Sequence, residues 1–325
     1  MSPNISIVAG FSSAISIGYF SRFVLKSMVH TTKYMTCQEC CGRHRFRMSE
    51  DFIRLHKSTK HSYKETPRSR SMSTWKPDGS GWRARIGVLT HDDATVEESE
   101  FWTMAPYGVS VHAARVPFGE LQTYSDPPGP DNATEQLARL PLQGIVFAFT
   151  TGSYLLGTTG EQALVARLEK RSNGIPVIMP CVAAVAAFQA LAVRRIALFH
   201  APWFTDDVDQ KGVAYFQNQG FEVVHVSHLT PAIKVPHPNL GSDVNPAELY
   251  EWVRKHAPSN VEGIFIAGNG LRSIGVIAPL EEDLGRPVLT ANQAAFWYAL
   301  RMGGVEAQVD DYGQVFKKTG SNERK

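Results

Sequence analysis

Gly144-Ile-Val-Phe-Ala-Phe-Thr-Thr-Gly-Ser153 and Gly263-Ile-Phe-Ile-Ala-Gly-Asn-Gly-Leu-Arg272 are two copies of one pattern: a glycine, a short apolar run, then a turn of small and polar residues. Two further pairs repeat with them. Gly174-Ile-Pro-Val-Ile178 matches Gly285-Arg-Pro-Val-Leu289, and Arg85-Ile-Gly-Val-Leu89 matches Arg195-Ile-Ala-Leu-Phe199. The offsets of 119, 111 and 110 residues agree closely enough to define one duplicated unit with small loop differences. Brevity and a Val, Ile and Phe content favour strands for these runs, and for residues 223–226. Residues 160–171, 183–192, 206–219, 246–256 and 293–302 carry helical spacing. Strands alternating with helices imply βαβ units and mostly parallel sheets. The fold expected is therefore α/β, with two similar Rossmann-like lobes and a ligand cleft between them. Lobe one covers residues 82–190 and is completed by the last helix; lobe two covers 191–290; a polar tail follows at 303–325.

The repeat also locates a site. In open α/β sheets ligands bind beyond the carboxyl ends of the strands. Phe149-Thr-Thr-Gly-Ser153 and Gly268-Asn-Gly-Leu-Arg272 fall at equivalent strand-to-helix turns, one from each lobe. Backbone N–H groups at a helix start, with hydroxyl, amide or guanidinium donors beside them, suit a carboxylate or a developing oxyanion.

Over 325 residues the chain is 43% hydrophobic and 20% charged, with a net charge of +2. That composition excludes a largely disordered chain, and the near-neutral charge argues against a dedicated nucleic-acid binder. The charge is unevenly spread. Residues 1–71 hold twelve Lys or Arg against four Asp or Glu, a net +8, so the remainder carries −6. This basic leader is expected to lie outside the folded body. Its apolar stretch, residues 5–20, is short and rich in Ser and Gly for a membrane span, and Arg22 and Lys26 follow it where a secretory signal wants charge in front. An organelle presequence, giving a mitochondrial protein, competes with an extension ahead of Met72 on a cytoplasmic one. Cys37, Cys40, Cys41 and His44 have metal-ligand spacing without a second ligand pair, so no metal is assigned. Cys181, in the apolar run 177–191, reads as a small buried residue. No Walker motif and no G-x-G-x-x-G follows a strand, so no cofactor is indicated.

Several stretches in order resemble the maleate isomerase and arylmalonate decarboxylase branch of the aspartate/glutamate racemase superfamily: Ile86-Gly-Val-Leu-Thr-His-Asp-Asp-Ala-Thr95, Glu98-Ser-Glu100, Ala105-Pro-Tyr-Gly-Val-Ser-Val-His112, Ala114-Arg-Val-Pro117, Thr150-Thr-Gly-Ser153 and Leu284-Gly-Arg-Pro-Val-Leu-Thr-Ala-Asn292. The resemblance implies two Rossmann-like lobes, an active site between them, no cofactor, self-association, and isomerisation, racemisation or decarboxylation beside a carboxylate. It also implies one or two catalytic cysteines, one at the end of the matching strand in each lobe. This chain has Phe149 and Gly268 at those positions, Ala94 where a substrate-contacting Asn is common, and Trp203 where a Tyr is common. Carried over are Thr150, Thr151 and Ser153 as an anion-binding framework.

With no thiol at either position, an acid or base must come from elsewhere. His91, Asp92 and Asp93 follow the first strand of lobe one, and His200 follows the equivalent strand of lobe two. A carboxylate–imidazole pair there would move a proton near neutral pH. The competing assignment makes Asp92 and Asp93 caps of a helix starting near Thr95. Arg272 is a candidate carboxylate clamp or else an exposed helix-start residue. Asn269, Asn292 and Gln293 are candidate amide donors, although Asn292 also suits a turn; Trp203 would form an aromatic wall. The function expected is a cofactor-independent isomerase or decarboxylase of a small carboxylate or dicarboxylate. Its alternative is a non-catalytic carboxylate-binding pseudoenzyme, which loss of both thiols equally predicts.

Overall fold

The computed structural model describes residues 34–36, 45–47, 81–121, 123–230, 243–306 and 309–317. The chain divides into two units, residues 1–74 and 75–325. In the first, Tyr34–Thr36 (β1) and Arg45–Arg47 (β2) pair antiparallel. The cysteine-rich run between them, with Cys37, Cys40, Cys41 and His44, lies outside the described residues.

The second unit contains two four-stranded parallel sheets. Sheet one is built from Ala84–His91 (β3), Val109–Val116 (β4), Gly144–Phe147 (β5) and Val177–Ile178 (β6), in the order β4-β3-β5-β6. Sheet two is built from Arg195–His200 (β7), Glu222–His228 (β8), Gly263–Ala267 (β9) and Val288–Thr290 (β10), in the order β8-β7-β9-β10. The duplication holds at the level of register. Ile86 opposes Gly144 as Ile196 opposes Gly263, and Ile145 opposes Val177 as Ile264 opposes Val288. The inner strands β5 and β9 are buried on both faces, which is why they read as unbroken apolar runs and not as alternating ones. In each sheet the chain leaves the first strand toward one edge and returns on its other side. The crevice this creates lies at the carboxyl ends of β3 and β5, and of β7 and β9.

The helices follow the sequence pattern with informative departures. Glu97–Met104 (α1), Gly129–Leu137 (α2), Thr150–Arg171 (α3) and Pro180–Ala190 (α4) accompany sheet one. Asp206–Asn218 (α5), Pro246–His256 (α6), Ile277–Leu284 (α7) and Ala291–Met302 (α8) accompany sheet two. Helix α3 begins ten residues before the stretch with helical spacing because it is two helices joined at Gly157, whose φ of 62° breaks the periodicity. Helices α2 and α7 lie outside the stretches read as helical from the sequence: α2 starts on Gly-Pro, and α7 follows a 3-10 turn at Ile274–Val276.

Helix α4 is buried nearly all round, with Ala183, Ala184, Ala187 and Phe188 inaccessible. It packs on α8, where Ala294, Ala295 and Ala299 let the two backbones approach, and α8 also meets α1 through the rings of Phe296 and Phe101, 5.1 Å apart. Helix α8 thus follows the last strand of sheet two and packs on elements of sheet one. The described part of the segment expected as a polar tail, residues 303–306 and 309–317, is instead anchored. Val305, Val309, Val315 and Phe316 are buried, the last two on Gln314–Lys317 (α9), because apolar residues spaced among polar ones return to the core. No helix among the described residues is long and apolar enough to cross a membrane.

Candidate active site

A cavity of about 340 Å³ opens at the carboxyl ends of the strands of both sheets. Lobe one contributes the β3–α1 loop with His91, Asp93, Ala94 and Thr95, and the β5–α3 turn with Phe149, Thr150 and Thr151. Lobe two contributes Trp203 and residues 268–270. The two turns that the repeat aligns therefore do meet across one cleft. No cysteine, lysine or arginine is among the described residues lining it.

Asn269 links the two lobes. Its Oδ1 accepts from the Thr150 N–H at 2.9 Å and the Thr150 hydroxyl at 2.6 Å, so an amide from lobe two caps the first turn of α3. Behind it, Asn269 Nδ2 donates to Asn292 Oδ1 at 2.8 Å, and Asn292 Nδ2 donates to the Asn269 carbonyl at 2.8 Å and to Glu100 Oε2 at 2.7 Å. Glu100 Oε1 in turn accepts from the N–H groups of Ser273 and Ile274. Burial pushes the Glu100 carboxyl up to about 7, against those donors. Asn292 is thus a tie inside the wall and does not line the cavity. Gln293 forms a capping box with Thr290 and donates to the Tyr312 carbonyl, which likewise takes it out of the site.

One wall is aromatic. The His91 ring stacks on Phe118, with centroids 4.3 Å apart and planes 13° from parallel, and Tyr124 and Phe149 flank it at 4.4 and 5.8 Å. Burial among these rings lowers the His91 pKa to about 4, although Asp93 and Asp92 oppose the shift. At neutral pH His91 is therefore an uncharged imidazole. Its folded-state pKa lies below the unfolded value, so it lowers stability as pH falls from about 6.5 toward 4. Replacing His91 with Phe should remove that loss, leaving the variant about 3 kcal/mol more stable relative to wild type at pH 4 than at pH 7. Urea denaturation at the two pH values measures it, and parallel pH profiles for the two proteins would contradict the assignment.

The other candidates separate clearly. Asp92 is exposed, does not line the cavity, and accepts from the Phe118 N–H at 3.1 Å. Neither it nor Asp93 caps a helix, because α1 begins at Glu97 after Val96, with no side-chain cap. His200 is fully buried beneath the cleft. Its Nδ1 pairs with Asp209 Oδ1 at 2.6 Å and its Nε2 meets the Tyr154 hydroxyl at 3.3 Å, so the ring faces α5 and not the cavity. Ser153 also points inward, donating to Glu161, which accepts from Tyr215. Arg272 is exposed and borders a separate depression beside Ser99 and Thr103, not the cleft. Cys181 is buried. Asp206, Asp209 and His228 lie close enough to hold a metal ion, but Asp209 already pairs with two imidazoles and the group is away from the cleft.

Sequence reasoning missed Glu97. It lines the cavity, is 2% exposed, and its Oε2 has no hydrogen-bond partner. Burial raises its pKa to about 7, opposed by the backbone, Thr90 and Arg115. The signal was present: Glu97, Glu100, Phe101 and Met104 follow the spacing of one helix face, and the last two are plainly apolar. Two acids on that face had to be buried.

Paired α/β lobes enclosing a cleft define a class, and comparison with known proteins narrows it. A family model described as arylmalonate decarboxylase matches residues 131–316. The chain belongs to the arylmalonate decarboxylase family. The arylmalonate decarboxylase of Bordetella bronchiseptica is 26% identical over 198 residues, covering 58% of this chain and 78% of that protein. Two solved structures share the fold: the maleate isomerase Iso from Pseudomonas putida S16 (TM-score 0.65, 19% identity, 72% of this chain and 98% of that one) and an arylmalonate decarboxylase (TM-score 0.59, 22% identity, 72% and 100%).

Proposed function

We propose that the chain is a cofactor-independent enzyme acting on a small carboxylate, with loss of a carboxyl group, and not thiolate-assisted isomerisation, as its chemistry. The observation that carries this reading is a cleft joining an aromatic wall to hydroxyl- and amide-bearing turns, with no cysteine among the described residues lining it. Isomerisation by addition to a double bond needs a nucleophile. Decarboxylation needs the electron pair left on carbon to be spread onto a neighbouring carboxylate and stabilised there. Thr151, at the start of α3, is the group to receive that carboxylate, while Thr150, whose N–H and hydroxyl both donate to Asn269, holds the turn in place. His91, Phe118, Phe149 and Trp203 then surround an apolar substituent and the departing carboxyl group. Such walls suit an aryl group, which relates this cleft to the curated relative's arylmalonate chemistry. Asp92 and His200 have no part in it, since neither lines the cleft.

A second reading, a carboxylate-binding protein without activity, draws on the same absence of thiols. Incubating the full chain with phenylmalonate, maleate and aspartate while following turnover and thermal shift distinguishes the two. Turnover of phenylmalonate with no conversion of maleate is expected; thermal stabilisation without turnover of any of the three would favour the binder. Sizing by light scattering tests the self-association that the resemblance implies. Mass spectrometry of the mature N-terminus decides between cytoplasm and mitochondrion.

A further inference from the structure

Any decarboxylation in this cleft leaves a carbanion equivalent that must be protonated, and none of the cysteines expected from the resemblance is there to do it. We infer that Glu97 supplies this proton, its buried carboxyl standing at the cleft in the place of a thiol acid. The inference rests on the decarboxylase reading and deepens it.

The geometry is specific. Glu97 opens α1 and its side chain reaches the cavity wall, where Oε1 lies 3.8 Å from the position a Cβ would occupy on Gly270 of lobe two. The carboxyl thus sits at the seam of the lobes, on the cavity that Thr150 and Thr151 also line. Its Oε2 is shielded from water and makes no hydrogen bond, with Thr90 beside the carboxyl. The groups facing it are Thr90 on β3, Arg115 on β4, Tyr124 in the following loop, and Glu100 on its own helix. Glu100 receives three N–H donors, which favour its ionised form. Glu97 and Glu100 are both raised to about 7, so the pair shares protons near neutral pH. A bound anionic substrate favours protonation of the one that lines the cleft, Glu97, because a nearby negative charge disfavours the carboxylate.

The step balances simply. The bond between the α-carbon and one carboxyl carbon breaks, carbon dioxide leaves, and the electron pair passes into the remaining carboxylate as an enediolate. That species takes the proton from Glu97, giving the monoacid and a Glu97 carboxylate, which regains its proton from solvent. Arg115 does not line the cleft; it is engaged with Glu98 and with the carbonyls of His91 and Ala94, so it does not compete as the acid.

The test compares wild type, Glu97→Gln and Glu97→Asp in phenylacetate formation from phenylmalonate. Binding is read in parallel from quenching of tryptophan fluorescence, since Trp203 lines the cleft. Glu97→Gln should fall at least 100-fold in kcat with the quenching titration little changed, while Glu97→Asp keeps measurable activity. Wild-type kcat/KM should decline as pH rises through about 7, as Glu97 ionises, and residual Glu97→Gln activity should not share that decline. Equal rates for wild type and Glu97→Gln, or a shared pH profile, would overturn the role of Glu97 and leave the decarboxylase reading standing. A wild type that binds phenylmalonate without converting it would overturn both. A Glu97→Gln protein whose circular dichroism and melting match wild type excludes misfolding as the cause of lost activity.

Discussion

Replacing Asn292 with alanine should cost about 4 kcal/mol of folding stability, the largest loss expected from any single polar side chain near the cleft. Asn292 is 1% exposed and carries three hydrogen bonds, to Glu100, to the Asn269 carbonyl and from the Asn269 amide. Each neutral bond alone contributes about 1 kcal/mol, but removal leaves its partners buried and unmet, at about 1–3 kcal/mol each and more for a charged group. Glu100 Oε2 would lose its donor, and Asn269 Nδ2 would lose the acceptor that fixes the amide holding Thr150. The loss therefore spreads to the first turn of α3 and to the lobe seam. Urea denaturation followed by circular dichroism measures it. A change below about 1 kcal/mol would mean that water or a neighbouring group replaces the amide, and that the network does not hold the lobes together.

Placing a thiol at Gly268 should not create thiol chemistry. Gly268 has φ of 116°, a conformation that side-chain-bearing residues rarely adopt. A Cβ there would lie 2.6 Å from the Cβ of Ala201 and 3.1 Å from the Trp203 ring. Ala201 is fully buried at the end of β7 and has no rotamer by which to withdraw. Backbone strain and overpacking together predict a Gly268→Cys protein about 3 kcal/mol less stable than wild type, with no maleate isomerisation. Wild-type stability together with iodoacetamide-sensitive isomerisation of maleate would contradict this. The backbone here has adapted to having no side chain.

The duplicated architecture was legible because doubly covered parallel strands leave a strong trace: uninterrupted apolar runs such as residues 144–147 and 263–267, ending at the same kind of turn. Those turns also indicated where the cleft would be, and Thr150, Thr151, Asn269, Trp203 and His91 all line it. Direction was not legible. His200 ends β7 as His91 ends β3, yet one ring enters the core toward Asp209 and the other enters the cleft wall, and a one-residue difference in where a strand ends reverses the side-chain face. Ser153 turned inward for a similar reason: on a helix starting at Thr150 it shares a face with the buried Tyr154 and Glu161 and not with Thr151. Arg272 belongs to the lobe-two turn in sequence, but the 3-10 segment after it turns that part of the chain toward α1. Glu97 was hidden in plain view among the acids that commonly open a helix, and only its burial distinguishes it from Glu98.

Decarboxylation of a small carboxylate in this cleft, as proposed above, requires no cysteine. Phenylacetate release from phenylmalonate by the full chain, before and after exhaustive alkylation with iodoacetamide, tests it directly. Turnover that alkylation leaves unchanged is expected, since Cys181 is buried and no described cysteine lines the cleft. Turnover abolished in step with alkylation, or bound phenylmalonate that is never converted, would contradict it.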